Sequence, residues 1–119
     1  MNDQIQQRLR QIEQDRDVRV LYACESGSRA WGFASTDSDY DVRFIYTHDR
    51  DWYLSIYERA DGIELGVDEE NIDLSGWDLR KALRLFLKSN AVIFEWLYSP
   101  IVYFQDDTFT AKLKIVNDI

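Results

Sequence analysis

Residues 25–43 read E-S-G-S-R-A-W-G-F-A-S-T-D-S-D-Y-D-V-R, from Glu25 to Arg43. An apolar run, Val18 to Cys24, leads into this stretch, and Phe44 and Ile45 follow it. The pattern predicts a strand that delivers a tight Gly27-Ser28 turn, a short helical segment over Ser28 to Trp31 ended by Gly32, a polar turn at Ser35 to Ser38, and a second strand that starts with acids and runs from Asp39 to Thr47. Side chains alternate across a strand, so Asp39 and Asp41 share one face and Tyr40 and Val42 the other. Paired carboxylates make a poor core and a good site for hard divalent cations. Gly27 lets the backbone approach a ligand closely, and amides of the following turn suit phosphate oxygens.

Ten residues, Arg29 to Ser38, separate Ser28 from Asp39. A Gly-Ser turn, a gap of this size, an Asp-x-Asp pair on a strand and a later third acid resemble the DNA polymerase beta-like nucleotidyltransferase superfamily. The wording G-S-R-A-W-G with S-D-Y-D-V is similar to its small bacterial predicted nucleotidyltransferases. The later K-A-L-R-L-F-L-K-S-N and E-W-L-Y-S-P resemble the RNA-repair-type polymerase beta homologues of that branch. The resemblance runs from Val18 to Tyr103. It implies a minimal α/β (α+β) nucleotidyltransferase fold, a mixed sheet flanked by helices.

At 119 residues the chain reads as a single domain, 1–119, large enough to bury roughly two-thirds of its unfolded surface. Hydrophobic residues make up 45% and aromatics 14%, which argues against disorder. Cys24 is the one cysteine, so no internal disulfide forms, and its apolar strand predicts a buried thiol. No long apolar run or signal peptide opens the chain, which makes the cytoplasm the expected compartment and a membrane an unexpected partner. A net charge of -8 argues against a broad electrostatic grip on nucleic acid. A polyanion must then be met through metal ions, a local basic patch or another domain.

Around the opening stretch, residues 3–15 read as an amphipathic helix with Ile5, Leu9 and Ile12 on one face. His48 to Tyr57 is ambiguous, with a helix burying Trp52, Ile56 and Tyr57 as one solution. His48, the only histidine, reads as an exposed loop residue, since nothing near it in sequence pairs with it. Ile63 to Val67 and Asn71 to Trp77 form a candidate hairpin, and Asp78 caps a helix to about Lys88. Leu79, Ala82, Leu83, Phe86 and Leu87 make its apolar stripe. Arg80, Lys81, Arg84 and Lys88 lie opposite, four of fourteen basic residues and candidate counter-charges for a triphosphate. Asn90 caps a further helix, Ala91 to Tyr98, whose apolar character predicts burial. The tryptophans read as core, with Trp31 the one best placed to border a ligand. Ile101 to Phe104 suggests an edge strand. Asp107 to Ile119 suggests a final helix with Phe109, Leu113 and Val116 inward.

Three acids compete for the third carboxylate. Asp68 lies in an acidic turn with Glu69 and Glu70, where solvent screens it. Asp78 has a sufficient role as a helix cap. Asp73 sits mid-strand between Ile72 and Leu74, the setting the superfamily's third acid occupies. The resemblance therefore implies two Mg²⁺ or Mn²⁺ ions among Asp39, Asp41 and Asp73. It also implies an NTP held by Gly27, Ser28 and, by analogy, Arg29; Lys81 is added by charge alone. The implied reaction moves an NMP from the NTP to an acceptor hydroxyl of RNA, protein or a small molecule and releases pyrophosphate. Two alternatives accompany it: an antitoxin-type enzyme that modifies a partner protein, and a non-catalytic nucleotide-binding module. The last helical pattern is still running where the chain stops, so a missing C-terminal helical portion or a homo-oligomer is the accompanying expectation.

Overall fold

The computed structural model describes residues 1–32 and 39–117, with side chains of the last helix described through Leu113. The turn expected at Ser35 to Ser38 and the Val116 side chain lie outside the described residues. The elements are α1 (Asn2–Arg16), β1 (Arg19–Glu25), a 3₁₀ turn (Ser28–Trp31), β2 (Tyr40–Thr47), α2 (Arg50–Leu54), β3 (Gly62–Val67), β4 (Ile72–Asp78), α3 (Leu79–Leu87), α4 (Ala91–Leu97), β5 (Val102–Gln105) and α5 (Asp107–Asn117). The five strands form one mixed sheet in the order β3-β4-β2-β1-β5. The β2–β4 pair is parallel and the other three pairs are antiparallel. This is the mixed sheet flanked by helices that the sequence led one to expect.

Each sheet face has its own core. Ile5, Leu9 and Ile12 bring α1 onto Val20, Ala23, Val42, Phe44, Tyr46, Ile72 and Leu74. On the other face Tyr22, Cys24 and Ile45 meet Ala82, Phe86, Ile93 and Trp96 of α3 and α4, with Phe109 and Leu113 of α5 packed alongside. β1 serves both cores, as its unbroken apolar run requires. A register shift between Val20 and Tyr22 inserts one residue, so Val20 and Ala23 face α1 although three positions apart. Phe44 lies flat on Gly76 of β4, where a Cβ would come within 2.4 Å of its ring. Gly76 is therefore part of the packing of the parallel pair.

Four expectations change. The helix after His48 is one short turn and a half, and Ile56 and Tyr57 are exposed rather than inward. In α3 the buried residues are Ala82 and Phe86, with Leu79 and Leu85 partly buried; Leu83 and Leu87 face outward. The stripe is narrower because only one side of the helix meets the sheet. α4 buries Ile93 and Trp96 but leaves Val92, and Tyr98 just past its end, exposed, so the described residues do not wholly cover its apolar surface. Trp31 ends the 3₁₀ turn at the surface, 49% exposed, and is not a core residue.

Candidate active site

β1 ends at Glu25, and the chain turns through Ser26, Gly27 and Ser28 beside the first residues of β2. Glu25 is fully buried. Its Oε2 accepts from the amides of Gly27 (3.1 Å) and Asp41 (2.9 Å), and its Oε1 accepts from the Tyr103 hydroxyl (2.9 Å). One carboxylate thereby ties the turn, the acid-bearing strand and β5 together. Burial pushes the Glu25 carboxyl above the usual carboxylate range, while those three hydrogen bonds pull it back. The Ser26 amide donates to the Asp41 carbonyl (3.0 Å), completing the seam.

Gly27 has a specific reason to lack a side chain. A Cβ there would lie 2.0 Å from Asp41 Oδ2, so the Asp41 carboxylate fills that space. The close approach at Gly27 is made by Asp41 of the same chain. The Gly27 amide, engaged by Glu25, is not free to meet a phosphate. Ser28 is exposed beside it.

Asp41 and Asp73 are direct partners in the parallel β2–β4 register, so they project from the same sheet face. Their neighbours Val42, Ile72 and Leu74 point to the α1 core. Arg43, two residues beyond Asp41, shares the acid face. Its Nη2 lies 3.1 Å from Asp73 Oδ2 and 3.9 Å from Asp41 Oδ1, and its Nη1 donates to the main-chain carbonyls of Asp73 (3.1 Å) and Val42 (3.2 Å). Asp39 is exposed and immediately precedes β2. Burial raises the Asp41 carboxyl above its ordinary range; Arg43 opposes this, and Asp73 and Asp39 add to it.

Among the described residues no three His, Cys, Asp or Glu side chains are already grouped to hold a metal. The donor set still fits Mg²⁺ or Mn²⁺. Magnesium is ordinarily bound through one or two carboxylates plus substrate phosphates rather than an all-protein cage, and Asp41 with Asp73 supplies such a pair. Asp39 stands at its edge.

The other acids weighed for the third position are placed elsewhere. Asp68 accepts from Arg8 Nε (2.7 Å) and from the amides of Glu70 and Ile72, shaping the β3–β4 turn. Asp78 is fully buried and caps α3 through the Arg80 amide (2.9 Å). Its Oδ2 also receives the Tyr53 hydroxyl (2.7 Å) and His48 Nδ1 (2.9 Å). His48 is therefore not the unpaired loop histidine its neighbours in sequence suggested. Its ring stacks on Trp52 at 3.8 Å, and its partner lies 30 residues away.

The two predicted cations differ in what holds them. The Arg29 guanidinium lies 3.9 Å over the Tyr40 ring, whose side chain faces away from Asp41. Lys81 follows the far end of β4, and Asp73 and Asp78 alone are about 16 Å apart along that strand. Lys81 Nζ is 3.7 Å from Asp61 and 5.5 Å over the Trp77 ring. This placement gives no support to a phosphate contact by Lys81. Glu25 and Arg43 were not singled out by sequence reasoning. Arg43 carried a readable signal, since period-two alternation puts it on the Asp41 face; Glu25 is an acid at the end of an apolar strand, which says nothing about its partners.

The profile of the RNA repair pathway DNA polymerase beta family (RlaP) matches residues 1–118. An uncharacterized protein of Bacillus subtilis (strain 168), YcgL, is 52% identical over 114 residues, covering 96% of this chain and 44% of that protein. The chain thus spans less than half the length of that relative. No solved structure matches the chain significantly.

Proposed function

Since the chain belongs to the RNA repair pathway DNA polymerase beta family, we propose that it is the catalytic domain of a metal-dependent nucleotidyltransferase moving an NMP from an NTP to an acceptor hydroxyl. The observation that carries this reading is the parallel pairing of Asp41 with Asp73 beside the Gly27 turn. A slip of one residue in that pairing would send one carboxylate into the α1 core.

Asp41 and Asp73, with Asp39 at the edge, would hold the divalent cations. Bound there, such ions neutralise phosphate charge and lower the pKa of the attacking hydroxyl. The chain's residues supply the positioning. Glu25 fixes the Asp41 backbone and the turn as one unit. The exposed Ser28 hydroxyl is the turn's donor toward the outer phosphates. Asp73 faces the acceptor hydroxyl and takes its proton as the hydroxyl oxygen bonds to the α-phosphorus. The bond from that phosphorus to the bridging oxygen breaks, and pyrophosphate leaves.

Intact-mass and radiolabel measurements after incubation with ATP or CTP, Mg²⁺ and total RNA or lysate test this. Asp41→Asn should abolish metal-dependent NTP binding. Asp73→Asn should keep nucleotide affinity within about threefold and remove transfer, the signature of a group used after binding. Undiminished Mg-NTP binding by the Asp39→Asn, Asp41→Asn double variant would refute the site. Label on a copurifying protein rather than RNA would identify a protein acceptor. NTP binding without pyrophosphate release under every condition would leave a binding module.

A further inference from the structure

The acid pair carries its own cation. The Arg43 guanidinium reaches both Asp41 and Asp73 while its other nitrogen is anchored on two main-chain carbonyls. That anchorage does not depend on either carboxylate. Arg43 is therefore a fixture of β2 and β4, not a surface side chain that happens to swing in, and it is largely covered, at 21% side-chain exposure. Two negative charges with one positive charge among them attract a divalent cation far less than two negative charges alone. One oxygen of Asp73 is also occupied by the guanidinium, which reduces the donors open to a hard ion.

We propose that Arg43 is a positioning residue that keeps the Asp41–Asp73 pair a weak metal site in the absence of a polyphosphate. The inference rests on the reading of Asp41 and Asp73 as metal ligands, and deepens it by assigning the residue that sets their affinity for a bare cation. A triphosphate adds both negative charge and oxygen donors. The cation then gains its remaining ligands from the substrate, while Arg43 keeps the Asp73 carboxylate oriented through its backbone-anchored fork. A lysine would keep the charge without the fork, and glutamine or methionine would remove the charge.

Mn²⁺ binding to the whole chain, read by electron paramagnetic resonance without nucleotide, tests the proposal independently of turnover. Arg43→Gln should bind Mn²⁺ about tenfold more tightly than the parent, and Arg43→Lys should stay within about threefold of it. Arg43→Met serves as the second neutral variant should Arg43→Gln fail to fold, which circular dichroism reports. Adding Asp41→Asn to the neutral variant should erase the gain. With a non-hydrolysable ATP analogue present, parent Mn²⁺ affinity should rise and the gap between parent and neutral variant should narrow. Unchanged or weaker Mn²⁺ binding in the neutral variants would overturn the proposal. So would a gain in Arg43→Lys as large as in Arg43→Gln, or a gain that survives Asp41→Asn. Failure of the nucleotidyltransferase reading shows differently: the parent then transfers no label, while the nucleotide-free Mn²⁺ comparison still gives its own answer.

Discussion

At the scale of single residues, Glu25 is the group on which the site's geometry turns. It is a fully buried carboxylate whose three acceptor contacts join segments 2, 16 and 78 positions away. Its pKa is raised, chiefly by burial. The folded chain consequently holds the Glu25 proton more tightly than the unfolded chain does. This group's contribution to stability falls as pH climbs from the usual carboxylate range through the raised value, and stays low above it. Glu25→Gln keeps the shape without the charge and should remove that dependence. Urea unfolding between about pH 4 and 8 checks it: the stability difference should move in the variant's favour as pH rises. A difference that stays flat, or moves the other way, would mean that Glu25 is not titrating against a buried site.

At the scale of elements, β4 has two ends with separate duties. Its first residues place Asp73 beside Asp41, and its last residue, Asp78, starts α3 and gathers His48 and Tyr53. Two acids five positions apart on one strand thus do unrelated work. Asp78→Ala removes the acceptor for the Arg80 amide, the Tyr53 hydroxyl and His48 Nδ1, and should cost about 2–4 kcal/mol of stability. Mn²⁺-nucleotide binding should be unaffected, because the acid pair is at the opposite end of the strand. Denaturant unfolding beside a metal titration separates the two. Loss of metal binding with no loss of stability would reverse the assignment of Asp73 and Asp78.

At the scale of the molecule, α1 closes one face of the sheet, whereas the described residues of α3, α4 and α5 cover the other less completely. A cavity of about 290 Å³ opens there among Phe86, Phe94, Leu97, Tyr98, Phe109 and Leu113. Leu87 at the end of α3 and Tyr98 just past α4 are 76% and 65% exposed. Exposed apolar side chains of this size favour association. Sedimentation of the isolated chain should therefore show concentration-dependent self-association that Leu87→Glu with Tyr98→Glu weakens. A strictly monomeric profile at high concentration would count against it. Among the described residues no helix is long and apolar enough to cross a membrane.

Features set by local chemistry were legible from the residues alone. Period-two and helical spacing marked the strands and α1, Asp78 and Asn90 announced helix starts, and the Gly-Ser and Asp-x-Asp wording marked the site's two segments. Each of those signals lies within a few residues of the feature it specifies. Pairing between distant segments is different, because many partners are compatible with one strand pattern and only packing selects among them. The tertiary structure alone decided that β2 runs parallel to β4 with Asp41 opposite Asp73, and that Arg43 sits between those acids. It also decided that Glu25 is buried under the turn and that His48 finds Asp78. The outward turn of Leu83 and Leu87 belongs here too, since a helix pattern names an apolar side but not how much of it a sheet will cover.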